Sequence, residues 1–262
     1  MGDTSQSTAL VAAAVCLTLA AAMMISFAIG RRAGLHHRRI DIEGARSMSG
    51  AVEASIFGLL GLLIAFTFSG AADRFDARRV LITNEVNAIT TAWERLDLLD
   101  AHDQPTLRDD FRQYLDERLT YYGKLPDEEA AAPHLERAET LESAIWTHAV
   151  EAAPRGIPGV VQVLLPAINQ MFDVAEERKA ALITHPPLPI YGLLICLSLI
   201  CAGLAGHHAS ASARHPWVLP LLFSGVSALA IYVILDLEYP RAGFIRVESA
   251  DLLLHALRAR MS

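Results

Sequence analysis

Lysine and cysteine are nearly absent: two lysines, Lys124 and Lys179, stand against 20 arginines, and 262 residues contain three cysteines. Cys16, Cys196 and Cys201 all fall inside apolar runs, where cysteine is a small hydrophobe, so neither a disulfide framework nor a thiolate metal site is implied. Also missing are an HExxH pair, a phosphate-cradling glycine loop and a nucleophile elbow, and the chain therefore reads as no enzyme and as needing no cofactor. No segment alternates apolar and polar residues with β-branched enrichment, which leaves no candidate strand. With a net charge of −7 and no basic cluster, nucleic acid is excluded as a partner.

Charge itself is missing from four long stretches. Residues 8–30, 54–72, 188–206 and 217–235 contain no Asp, Glu, Lys or Arg, and a helix of about 20 such residues crosses a hydrocarbon core of roughly 30 Å. The expectation is an all-α membrane protein with four transmembrane helices, at 8–30, 51–72, 188–206 and 217–235. The first is read as an uncleaved anchor rather than a signal peptide, because its flank has Asp3 and no basic residue and its apolar run is long.

Between the second and third spans lies an insertion of opposite character. Residues 71–187 hold 21 of the 29 acidic and 12 of the 22 basic residues, a net charge of −9. The division expected is a first transmembrane pair at 1–72, an acidic helical soluble domain at 73–187, a second pair at 188–235, and a C-terminal turn with a short helix at 236–262. From Asp73 the apolar positions Phe75, Ile82, Val86, Ile89, Trp93 and Leu96 recur three or four apart, so the second span should continue as one long amphipathic helix to about Leu99. Pro105 suits the first turn of a second helix, and Asp127 the cap of a third that carries Leu135, Leu141, Ile145 and Trp146 as apolar positions. A break at 153–158 precedes a last helix, 159–183, which Pro166 should kink or delay. The final helix is expected to be capped near Ser249, and acidic pairs such as Asp109-Asp110 and Glu128-Glu129 read as solvated faces.

The second span divides into three sides on a helical wheel. Ala54, Gly58, Gly61, Ala65, Ser69 and Ala72 form a small-residue stripe, a helix-packing surface either within the protomer or between subunits. Phe57, Leu60, Ile64 and Phe68 form another side. The third holds Ser55, Leu59, Leu62, Phe66, Gly70 and Asp73; around an axis of several copies, Leu62 and Phe66 would make constricting rings and Asp73 a cation-favouring mouth.

Glu53, at the start of this span, is a candidate by its position in the membrane, although a carboxylate there also suits a helix N-terminus. Five of the ten histidines, His36, His37, His207, His208 and His215, fall on the two short connections of the four-span topology, as a pH-responsive or metal-binding rim or as solvated loop residues.

The stretch from Ala65 to Arg78, AFTFSGAADRFDAR, resembles the bestrophins and, more closely, the bacterial bestrophin-like family. Asp73, Arg74, Phe75, Ala77 and Arg78 fit the Asp-Arg-aromatic-aromatic-x-Ala-Arg pattern, with Asp76 in place of the second aromatic. LDLEYPRAGFIRV, from Leu235 to Val247, resembles that family's closing motif. The resemblance implies a pentamer whose second spans line a pore, with a neck at Phe66, Leu62 and Gly58, and it places the large domain in the cytosol of a cell with a bacterial inner membrane. Only Asp236 and Glu238 stand where bestrophins carry a calcium clasp, so calcium gating is not implied. Arginines flank both ends of the spans and leave orientation undecided by charge. The expected function is a homo-oligomeric ion channel in membrane lipid; the alternative is a non-conducting scaffold or sensor whose acidic domain binds a protein partner.

Overall fold

The computed structural model describes residues 2–37, 46–210, 217–239, 244–245 and 248–261, with side chains only from residue 13 and again from residues 50 and 252 where those segments begin. Among these the regular structure is helical throughout: α1 (Gly2–His37), α2 (Arg46–Arg95), α3 (Gln104–Lys124), α4 (Glu128–Ala152), α5 (Val160–Ile183), α6 (Leu188–Ala209), α7 (Val218–Glu238) and α8 (Glu248–Arg260), with 3₁₀ turns at Leu96–Leu98 and Ala153–Arg155. Four helical segments, in α1, α2, α6 and α7, are long and apolar enough to cross a membrane. Two compact units emerge, one of residues 1–75 and 185–245, the other of 76–184 and 246–262.

In the first unit the closest crossing is between α1 and α6, and it depends on glycine. A Cβ on Gly30 would stand 1.9 Å from the Gly203 carbonyl oxygen, and one on Gly206 would stand 2.0 Å from that of Phe27. Only hydrogen fits at either place, and the approach lets the Ser26 hydroxyl donate to the Leu199 carbonyl at 2.7 Å. On α7, the Ala228 carbonyl lies 3.6 Å from Cys16 Sγ, and Trp217 is tilted against Phe27 at 6.2 Å. Cys201 is buried, Cys16 is half-buried and Cys196 is exposed, all three as free thiols.

The second unit has a core of the kind water enforces. Ile89, Leu96, Phe111, Tyr114, Leu115, Ile145, Leu164, Ile168 and Met171 are fully enclosed, and Leu254, Leu257 and Met261 of the C-terminal segment complete the same cluster. Arg258 on α8 forks onto Asp116 of α3 at 2.8 and 2.9 Å. Pro105 lies in the first turn of α3, and Asp127 caps α4 by accepting from the Ala130 N–H at 3.0 Å. Gly159, at φ 91°, turns the chain into α5 through the left-handed region that side chains avoid.

Four expectations are corrected here. Pro166 does not delay α5, which starts at Val160 and runs through it. Trp146 points outward, since the face of α4 turned to the core is the one that carries Ala138, Ile145 and Ala149. Asp110 is no solvated face: it is mostly covered and meets His148 Nδ1 at 2.7 Å. The final helix begins at Glu248, one residue ahead of Ser249.

Charge is buried in this unit as a matched set. Glu85 of α2 accepts from Arg118 Nε of α3 at 2.9 Å and pairs with Arg178 of α5, while the Arg118 guanidinium also meets the Tyr122 hydroxyl. Burial alone pushes the Glu85 carboxyl up; Arg118 and Arg178 outweigh it and hold the group below its ordinary value of 4.5. The Tyr122 hydroxyl is pushed far up by the same burial, against the opposing pull of Arg118.

Candidate functional site

Helix α2 carries the residues singled out by its sequence, and its own chain covers only one side of it. Leu60 packs with Leu197 and Cys201 of α6, Phe57 meets Phe223 of α7 edge-on at 5.7 Å, and Ala71 lies in a cluster with Tyr191, Ile234 and Leu237. Phe57, Leu60 and Ile64 therefore turn toward the other spans, whereas Phe68 of the same predicted side is exposed.

Among the described residues, the other two sides are open from Ala54 to Ser69. Leu59 and Leu62 keep 55% and 52% of their surface exposed, and Phe66 keeps 68%. Ala54, Gly58, Gly61, Ala65 and Ser69 are exposed beside them. Among the described residues, no heavy atom lies within 4 Å of where a Cβ would stand on Gly58 or Gly61. Among the described residues the small-residue stripe is therefore open from Ala54 to Ser69, and only Ala72 at its end packs within the protomer, beside the Ala71 cluster; close helix approach falls to Gly30, Gly203 and Gly206, which sequence reasoning passed over although Gly30 and Gly34 have small-xxx-small spacing.

The family-motif residues at the end of this stretch take separate tasks. Asp73 is exposed, on the same wheel sector as Leu62 and Phe66. Arg74 donates through Nε to the fully buried Glu238 of α7 at 2.8 Å. Phe75 packs beside the Ala71 cluster, and Ala77 is exposed. Arg78, buried, donates to the carbonyls of Ala181 and Thr184 at 3.1 and 3.0 Å, where the end of α5 leaves carbonyls without helical partners. Asp76 forms a loose surface pair with Arg79 at 3.4 Å.

The closing motif supplies a second cluster. Asp236 accepts from the N–H groups of Phe244 and Ile245, each at 2.9 Å, and from the Tyr232 hydroxyl at 3.0 Å, which ties residues 244 and 245 to the end of α7. Next to Arg74, Glu238 has His185 Nδ1 at 3.8 Å, and the His185 ring stacks on Tyr239 at 4.5 Å. Both carboxylates are therefore engaged by protein groups. Arg241 and Arg246 lie outside the described residues.

The histidine rim is only partly visible. His207 and His208 belong to the last turn of α6 rather than to a loop, and His36 is exposed near the end of α1, while the side chain of His37 and all of His215 lie outside the described residues. Glu53 is brought to them: its carboxylate meets His208 Nδ1 at 2.8 Å. Arg31 and Arg32, which follow the first uncharged run, lie within α1.

A family model for the bestrophin-like domain matches residues 11–252. No curated protein and no solved structure matches the chain.

Proposed function

The chain belongs to the bestrophin-like family, and from that premise we propose that it is a homo-oligomeric ion channel, a pentamer in which the bare sides of α2 face one another around an ion pathway. The carrying observation is the open stripe of Gly58 and Gly61 beside exposed Leu62 and Phe66. Lipid accounts for exposed Leu and Phe, because apolar side chains in a span are the default. It gives no reason for a groove of small residues, whose usual effect is to let another helix approach closely.

In this reading Phe66 and Leu62 form successive apolar rings that hold back water and ions, with Gly58 adding no side chain at the third position, and Asp73 rings the mouth with carboxylates. The helical unit faces the cytoplasm of a cell with the protein in its inner membrane, as the family resemblance implies.

Native mass of the purified protein is the first measurement, and a monomer removes a central pathway. Ion flux into liposomes then separates the readings: the Phe66→Ala variant should raise or deregulate flux by widening the neck. A stable oligomer with no flux from either protein favours a scaffold that presents its acidic helical unit to a protein partner. Protease accessibility of residues 103–151 in intact cells checks the side on which that unit lies.

A further inference from the structure

Glu53 stands roughly 160° around α2 from Ser55 at about 100° per residue, on the side turned toward α6 rather than on the bare one. There the Cys201 thiol lies 3.9 Å from the Ile56 carbonyl, and about two helical turns further on α6 come His207 and His208. One ligand atom from each of Glu53, His207 and His208 lies within 4.8 Å of the other two. The ion pair between Glu53 and His208 engages two of these groups, and His207, the preceding residue on α6, brings a third ligand atom to the same point.

We propose that Glu53, His207 and His208 form a binding site for a divalent transition-metal ion of the zinc class. Two imidazoles and one carboxylate are a borderline donor set, suited to zinc and poorly suited to calcium or magnesium, which take oxygen ligands. Tetrahedral zinc at about 2.0–2.1 Å from each ligand needs ligand atoms about 3.4 Å apart, so the present spacing closes by small side-chain rotations. The backbone under the two histidines is already fixed: Gly206 presses on α1, and the Ser210 hydroxyl donates to the His207 carbonyl at 2.6 Å. Three protein ligands leave a fourth position for water or an external group. A bound ion ties the start of α2 to the end of α6, and this holds whether or not α2 lines a pore.

The test is zinc titration of the full-length protein in detergent, read by calorimetry and by the melting temperature. The expected result is one zinc per protomer, a zinc-dependent rise in melting temperature, and an affinity about tenfold or more weaker in Glu53→Gln and in His208→Ala, as for loss of a ligand or its support. His102→Ala and His255→Ala, in the other unit, should bind as the natural protein does. X-ray absorption should report nitrogen and oxygen neighbours only, since Cys201 is not among the ligands. Elution volume and helical circular dichroism without zinc identify any variant that misfolds, and Glu53→Gln, which keeps the shape of the side chain, decides if His208→Ala does. The proposal is overturned if the natural protein shows neither heat nor a melting shift, if the His207→Ala, His208→Ala double variant binds as much zinc as the natural protein, or if excess calcium displaces the zinc.

Discussion

The two units handle the same residue types in opposite ways. The unit built on α3, α4, α5 and α8 encloses a core of large apolar side chains such as Phe111, Tyr114, Ile145 and Ile168, and encloses Glu85, Arg118 and Arg178 as a matched set. The unit built on α1, α6 and α7 spends its tightest contacts on glycine and serine, and leaves Leu221, Leu222, Val226 and Leu229 of α7 exposed along with Leu62 and Phe66 of α2. In water the removal of apolar surface drives folding, so a complete unit hides it. In lipid that gain vanishes, and helices associate through close backbone approach and hydrogen bonds. Single exposed apolar side chains occur in both units, Leu252 and Leu253 of α8 in one and Leu221 and Leu222 of α7 in the other, so the informative difference is the open groove of small residues, which among the described residues only the second has.

The largest test of this contrast is Glu85→Ala. It leaves two buried guanidiniums without their carboxylate and should cost about 3–5 kcal/mol of stability, read as loss of the helical unit's cooperative melting. A pH series on Glu85→Gln sharpens it. Because the folded group titrates below its ordinary value of 4.5, its stabilisation is complete above that pH and disappears as pH falls through the lower folded value. The deficit of the Gln variant should thus be full at neutral pH and shrink only in acid below about pH 4.5. Next in size, Gly30→Ala and Gly206→Ala force backbone apart and should cost about 1–3 kcal/mol, measured by melting in detergent. Smallest is Gly58→Ala with Gly61→Ala: among the described residues the methyl groups meet nothing, and alanine suits a helix better than glycine, so stability should not fall. A change in native mass from that double variant, with melting unaltered, would place its effect between copies.

Much of the fold was legible because it rests on local chemistry. Four uncharged stretches, Pro105 in a first turn, the Asp127 cap and the break at 153–158 each act within a few residues of themselves. The long helix was legible too, since the three-four spacing from Phe75 to Leu96 continues the period of the span before it. Pairing between distant segments was not. Small residues on α2 and at Gly30–Gly34 look alike in sequence, and nothing local says which groove receives another helix of the same chain. Charge periodicity likewise reads an acid as a solvated face, and so it missed Glu85, whose burial depends on arginines 33 and 93 residues away. Glu53 was noticed alone; only the run of α6 beside α2 brings it to His208.

The glycine crossing of α1 and α6 also sets a problem of timing. Ser26 and the carbonyl it bonds are 173 residues apart, and a ribosome adding about 5–20 residues per second makes the second partner roughly 10–35 s after the first. Throughout that interval α1 has no α6 to lie against, and its glycine groove faces lipid or some temporary neighbour. Its uncharged length therefore has two successive duties: to hold a solitary helix in the bilayer during synthesis, and then to give up part of that surface to the helix that arrives last but one.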